Sequence, residues 1–227
     1  MPHPHDLAPT LPLFLREALS FAPLRLSAAF SPRVKLPVDG AGRPVMVIPG
    51  FMASDRTTSR LRRSLLASGF ACSGWGMGRN TGITSDVLTR LDDRIAALGR
   101  NGPVILIGWS LGGLIAREYA KYAPDNVAKV VTLGSPFSGD PRANNVWRIY
   151  EWIDGHKVDA PPLEVNLTVK PTVPTTAMWS RRDGLVSPRS ACGLLHEADE
   201  PIEQDCSHMG FIASADAIRR IGEIIAR

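Results

Sequence analysis

The sequence of 227 residues has few cysteines, no long apolar run and no block of positive charge. Three cysteines are too few, and odd in number, for the disulfide framework of a small secreted domain. No stretch reaches the roughly 18 uninterrupted apolar residues of a membrane-spanning helix. Lys and Arg are scattered, so the net charge of +4 does not predict nucleic-acid binding and is compatible only with weak attraction to a membrane surface.

The N-terminal region lacks the features of a secretory signal. It opens MPHPHD, without Lys or Arg, and Pro9, Pro12 and Arg16 interrupt its first apolar stretch. We therefore expect a cytoplasmic protein that begins close to its first residue. Residues 1–40 form a leader with mixed helical spacing of apolar residues, cut by Pro23. We predict one or two short helices that pack on the main body; membrane contact is the alternative, although the basic polar face is thin.

Short apolar runs alternate with helical stretches through residues 41–227, the predicted main domain. This alternation predicts an α/β fold, with a mostly parallel sheet and helices on both faces. Residues 136–172 break the alternation and are rich in Pro, Asn and Trp, which predicts a small lid with a helix near 145–152. The predicted strands are 44–48, 70–74, 104–107, 127–133, 173–180 and 202–205, and the predicted helices are 59–68, 85–98, 111–122 and 214–226.

A candidate nucleophile lies between a predicted strand and a predicted helix. The run GWSLGG matches G-x-S-x-G around Ser110, which is a weak signal alone because Gly and Ser are common. Here VILI precedes it and LGGLIAREYA follows it, as a strand-turn-helix arrangement requires. Side chains two positions from the serine would collide in such a turn, which explains Gly108 and Gly112. Ser110 is therefore the predicted nucleophile.

Two backbone amides are candidates for an oxyanion hole. The amide of Leu111 directly follows the nucleophile, at the start of a helix. The amide of Phe51 follows Pro49-Gly50, in the loop after the first main strand. Amides aimed at a developing oxyanion each lower the barrier to acyl transfer by roughly 3 kcal/mol.

The order of a serine triad in this strand-turn-helix setting places the acid and then the base after the serine. His208 lies just before the last predicted helix and is the preferred base over His156 and His196. Asp183 follows the strand VPTTAMWS and is the preferred acid. The other acids considered are Asp140, Asp154, Asp159 and Asp205.

Together these motifs resemble the α/β-hydrolase lipases and esterases from Pro44 to the C-terminus, and more narrowly a bacterial subfamily. The resemblance rests on VIPGFMASD, GWGMGRN, GWSLGG, LGSPF, NNVWR and SRRDGLV. It implies hydrolysis of carboxylic esters, small-molecule or lipid, without a metal or organic cofactor. An acyltransferase, a thioesterase or an amidase would use the same triad, and a non-catalytic binding protein on this fold is a further alternative. The oligomeric state is left open.

Further side chains are candidates for contact with substrate. In GWGMGRN, Trp75, Arg79 and Asn80 either line an acyl pocket or brace the oxyanion loop, and bracing is preferred. A disulfide between Cys192 and Cys206 would tie the acid loop to the histidine loop, although a cytoplasmic location argues against it. An aromatic stripe in the lid either covers the pocket or packs in the core, and comprises Trp147, Tyr150 and Trp152. The substrate-contact candidates are Trp109, Met52, Trp75 and Trp147.

Overall fold

A computed structural model describes residues 9–19, 31–98, 102–139 and 167–227, and the fold below concerns these residues. Six strands make one sheet: β1 (Pro44–Ile48), β2 (Ala71–Gly74), β3 (Val104–Trp109), β4 (Val127–Leu133), β5 (Thr175–Trp179) and β6 (Glu200–Glu203). The helices are α1, which includes residues 11–19, α2 (Ser59–Ala67), α3 (Val87–Leu98), α4 (Leu111–Tyr122), α5 (Pro188–Cys192), α6 (Gly210–Ala213) and α7 (Ala215–Ala226).

The sheet has the strand order β2-β1-β3-β4-β5-β6, and every neighbouring pair is parallel. The predicted strands and the four predicted helices are confirmed to within a few residues. Because all strands run the same way, their carboxyl ends lie along one edge, where the following loops meet. Ser110, Asp183 and the loop after β1 all follow strands at this edge.

The sheet separates two apolar layers because side chains alternate along each strand. On β3, Ile105, Ile107 and Trp109 point into the layer that α2 and α7 cover. Val104 and Leu106 point into the opposite layer, which α3 and α4 cover. Burial on both faces explains why these strands read as continuous apolar runs rather than as alternating ones.

The remaining expectations have mixed outcomes, and some of them concern residues outside the described ranges. The short helices α5 and α6 were not predicted, because four or five residues carry no helical periodicity. The three thiols are free, so no Cys192–Cys206 disulfide is present. None of the described helices is long and apolar enough to cross a membrane. The central part of the predicted lid, including Trp147, Tyr150, Trp152 and the predicted helix at 145–152, lies outside the described residues.

Candidate active site

Ser110 occupies a strained turn between β3 and α4. Its φ of 55° and ψ of −123° lie where non-glycine residues are rare, and such strain persists only when surrounding contacts enforce it. One such contact is the hydrogen bond of 2.9 Å that the Ser110 N–H donates to the carbonyl oxygen of Leu133, at the end of β4. The turn places the serine side chain, which is partly exposed, at the N-terminus of α4.

The glycines on either side of Ser110 are required by close backbone contacts. A Cβ on Gly108 would lie 2.3 Å from the Cα of Gly113, and one on Gly112 would lie 2.3 Å from the carbonyl oxygen of Ile48. Both obstacles are backbone atoms, which cannot move aside as a flexible side chain could. The G-x-S-x-G pattern is therefore a steric condition for this turn.

Asp183 and His208 form a buried pair at the same edge of the sheet. Asp183 Oδ2 lies 2.7 Å from His208 Nδ1, and both side chains are almost fully buried. The other carboxylate oxygen, Oδ1, accepts the N–H groups of Leu185 at 2.8 Å and Val186 at 2.9 Å. These two donors fix the carboxylate, which in turn orients the imidazole ring.

Gly134 brings this pair next to the nucleophile. It follows Leu133, which binds the Ser110 N–H, and it has a φ of 56°. A Cβ on Gly134 would lie 2.9 Å from Asp183 Oδ2 and 3.2 Å from His208 Nδ1. The structure thus gathers the three predicted triad residues around the ends of β3, β4 and β5. Within the described residues no hydrogen bond joins the Ser110 hydroxyl to His208; a bond between nucleophile and base commonly tightens only in the substrate complex.

The pKa of His208 is raised above its ordinary value. Burial lowers this pKa, but the charge of Asp183, its hydrogen bond to the imidazole and the charge of Glu17 together outweigh burial. An imidazole with a raised pKa is a stronger proton acceptor when neutral.

Trp109 contacts both the backbone and the ring of His208. Its indole N–H donates to the carbonyl oxygen of His208 at 3.0 Å, and the two rings lie 5.3 Å apart between centroids. The side chain is 2% exposed and belongs to the layer under α7. This placement makes Trp109 a brace for His208, whereas the sequence had suggested contact with substrate.

The two candidate oxyanion donors belong to segments that adjoin Ser110. Leu111 is the first residue of α4, so its N–H has no acceptor within the helix. Phe51 follows Gly50, and a Cβ on Gly50 would lie 3.0 Å from the Cβ of Ser110. The loop that carries Phe51 therefore passes directly beside the nucleophile, and a larger residue at Gly50 would push it away.

The GWGMGRN segment holds this loop in place. The Asn80 side chain donates to the carbonyl oxygen of Pro49 at 2.7 Å, and its backbone pairs with Met52 and Ala53 at 2.6 Å and 2.8 Å. Arg79 donates to the carbonyl oxygen of Met52 at 2.9 Å. Asn80 is fully buried, so its role here is bracing of the oxyanion loop. Met52, a candidate for substrate contact, adopts a φ of 57° in the same loop and is partly exposed.

Asp55 is a supporting residue that the sequence reasoning missed. Its two carboxylate oxygens accept the N–H groups of Trp75 and Gly76, each at 3.0 Å. A Cβ on Gly74 would lie 2.3 Å from this carboxylate, which explains the glycine. Trp75 is buried and donates its indole N–H to Gly78, so it also stabilises the loop. Asp55 stands in the VIPGFMASD motif, which was the available signal.

The rival acids and bases do not reach the site, or lie outside the described residues. Asp205 is exposed and binds Arg182 at 3.1 Å, and His196 is exposed. Among the residues that the structure describes, no three His, Cys, Asp or Glu side chains come together as a metal site. The candidates outside the described residues are His156, Asp140, Asp154 and Asp159.

Comparisons with known proteins identify the fold. A family model described as the alpha/beta hydrolase fold matches residues 48–155. A serine hydrolase involved in carbazole degradation superposes with a TM-score of 0.60 at 19% identity, covering 82% of this chain and 92% of that chain. The chain has the α/β-hydrolase fold. The predicted fold class is therefore confirmed.

Two further solved structures with this α/β-hydrolase fold have lipolytic or esterase names. One, from a study of two metagenome-derived lipolytic enzymes, has a TM-score of 0.58 at 15% identity and covers 84% of this chain and 98% of that chain. Naproxen esterase from Bacillus subtilis has a TM-score of 0.55 at 14% identity, with 86% of each chain covered. The comparison with curated proteins found no match. At these identities the likeness establishes the fold and not the reaction.

Proposed function

We propose that this protein is a serine hydrolase that cleaves carboxylic esters through an acyl-enzyme on Ser110. The observation that carries the proposal is the buried Asp183–His208 hydrogen bond of 2.7 Å, at the sheet edge where Ser110 sits in its strained turn. The motifs GWGMGRN and GWSLGG support placing the protein among bacterial esterases and lipases of this fold.

The Asp183 contact determines which nitrogen of His208 acts as the base. With Nδ1–H donating to the carboxylate, Nε2 is unprotonated and is available to take the proton of the Ser110 hydroxyl. The serine oxygen then attacks the ester carbonyl carbon, and His208 returns the proton to the departing alcohol. Water, deprotonated by the same nitrogen, releases the acid and restores the serine.

The amides of Phe51 and Leu111 would hold the oxyanion that forms in both steps. Leu111 contributes from the positive end of the α4 dipole, and Phe51 contributes from the loop that Asn80 braces against Pro49. Because the loop is held before substrate arrives, no reorganisation is required as charge develops.

The ester class is supported by two structural neighbours, which are named as lipolytic enzymes and as a carboxylesterase. A solved thioesterase domain shares the fold at 14% identity, with a TM-score of 0.55, so the test includes thioesters. No contact among the described residues favours a thioester or an amide over an oxygen ester.

The experiment measures steady-state hydrolysis of p-nitrophenyl esters from acetyl to palmitoyl, together with matched thioester and anilide substrates. We expect the oxygen esters to be turned over and Ser110→Ala to abolish the reaction. Ser85→Ala is the matched control, because it removes the same hydroxyl from an exposed position in the loop before α3. A Ser110→Ala protein that keeps most of the rate would refute the proposal, and a preference for thioesters or anilides would replace its substrate class.

A further inference from the structure

A residue of the leader reaches the catalytic histidine loop from the other end of the chain. Glu17, in α1, is only 2% exposed. One of its carboxylate oxygens accepts the backbone N–H of His208 at 2.9 Å, and the other accepts the N–H of Met209 at 2.9 Å. Glu17 and His208 are 191 positions apart in sequence.

The same helix also presses on the loop that carries the acid. A Cβ on Gly184 would lie 2.4 Å from the backbone oxygen of Leu13 and 2.9 Å from the Cβ of Glu17. Gly184 directly follows Asp183. Helix α1 therefore contacts both loops that together form the Asp183–His208 pair, and the glycine of the SRRDGLV motif makes this approach possible.

Burying a carboxylate only to accept two backbone N–H groups is energetically unfavourable, which suggests that the charge of Glu17 has a further role. Removing an ionised group from water is unfavourable, and the two charge-assisted hydrogen bonds offset part of that cost. These two buried hydrogen bonds also restrict the backbone of the histidine loop, because each carboxylate oxygen must stay within about 3 Å of the nitrogen that donates to it. The His208 backbone is thus held by Glu17 at its N–H and by the Trp109 indole at its carbonyl oxygen, while its ring is held by Asp183 and lies against the Trp109 ring.

Glu17 also adds to the negative charge around the His208 imidazole. Asp183 faces it from the loop after β5, Glu17 faces it from α1, and the neutral thiol of Cys206 lies on its own loop. The ion pair of Arg182 and Asp205 is exposed, and water therefore screens it.

We propose that Glu17 is a positioning residue for His208: its carboxylate fixes the histidine loop against α1 and adds a second negative charge beside the imidazole. This role rests on the hydrolysis proposed above. It makes the leader part of the catalytic machinery, although the family match covers residues 48–155 only.

The test compares wild-type protein with Glu17→Gln across pH. Glutamine keeps the size of the side chain but loses the charge and one acceptor, so we expect kcat for a p-nitrophenyl ester to fall about tenfold to hundredfold. KM should stay unchanged, because Glu17 is not placed to touch substrate. The acidic limb of the kcat/KM profile should move to lower pH, because the pKa of His208 falls when the Glu17 charge is removed. Glu223→Gln is the control, since it removes one partly exposed glutamate charge from α7.

Two further measurements separate positioning from simple loss of fold. Glu17→Asp keeps the charge on a side chain one methylene shorter, so kcat should fall while the pH profile stays close to wild type. The proposal would be overturned if both Glu17 variants lost activity only in proportion to their folded fraction and kept the wild-type pH profile of kcat/KM. An NMR titration of His208 needs no substrate: a lower pKa in Glu17→Gln supports the inference even if wild-type protein cleaves no ester, and an identical titration overturns it.

Discussion

Replacing Asp183 with Asn tests how the acid controls the histidine. Asp183 Oδ1 accepts the N–H groups of Leu185 and Val186, and Oδ2 faces His208 Nδ1 at 2.7 Å. The two N–H donors require an acceptor, so the Asn carbonyl oxygen should take the place of Oδ1. The NH₂ group must then face Nδ1 of His208. It can only donate there, which forces the imidazole into the tautomer with its proton on Nε2.

The magnitude follows from this switch of tautomer. A histidine protonated on Nε2 cannot accept the Ser110 proton, and the analogous change in serine proteases lowers kcat about 10⁴-fold. That factor corresponds to about 5 kcal/mol of transition-state stabilisation. Stability should fall far less, by about 1–2 kcal/mol, because both backbone hydrogen bonds to the side chain are retained.

The assay is steady-state hydrolysis of a p-nitrophenyl ester, with thermal unfolding measured on the same preparations. Asp205→Asn is the control, because it makes the same change at an exposed aspartate in the histidine loop. We expect Asp205→Asn to leave kcat near wild type and to change stability little, since exposed ion pairs contribute about 0–1 kcal/mol. A folded Asp183→Asn protein that retains more than about a tenth of the wild-type kcat would refute the tautomer argument.

Three other outcomes follow from the structure. Ser110→Gly should abolish hydrolysis yet raise the free energy of unfolding by about 1 kcal/mol, because glycine tolerates a φ of 55°. A denaturant titration in which this variant is less stable than wild type would show that the Ser110 backbone is not strained. Asn80→Ala should lower kcat about tenfold to hundredfold, because it removes the hydrogen bond to the Pro49 carbonyl oxygen. Ser73→Ala, on β2 beside β1, is the control and should leave kcat unchanged. An Asn80→Ala protein with the wild-type kcat would show that this brace is unimportant. Activity should fall as pH decreases through the raised pKa of His208, since only the neutral imidazole accepts a proton; a kcat/KM profile whose acidic limb lies below the ordinary histidine range, near 6.5, would contradict this.

Much of the fold was predictable because local signals coincide with the tertiary structure. The run VILI before Ser110 and the helix after it define β3 and α4, and the flanking glycines report the crowded turn directly. Asp183 and His208 could be selected because the carboxyl ends of parallel strands share one edge. Their contact of 2.7 Å then needs only the two loops to meet above Gly134.

The placement of Trp109 was within reach of the sequence but was missed. Side chains alternate along β3, so Trp109 shares the layer of Ile105 and Ile107, beneath the histidine loop. Trp109 was a candidate for substrate contact, but its side chain is buried in that layer.

Glu17 could not be predicted from the sequence. Its partners are backbone amides, which leave no trace in residue type, and they lie 191 and 192 positions away. A single glutamate among leucines in a helix normally indicates a solvent-exposed position. Only the tertiary structure shows that the carboxylate points inward to the histidine loop.

Covalent labelling measures whether Ser110 is an activated nucleophile. The protein is incubated with a fluorophosphonate probe, digested, and the modified peptide is sequenced by mass spectrometry. We expect one phosphonylated residue, Ser110, with labelling lost in Ser110→Ala and strongly slowed in His208→Ala. A wild-type protein that stays unlabelled, or carries the label on another serine, would contradict this expectation.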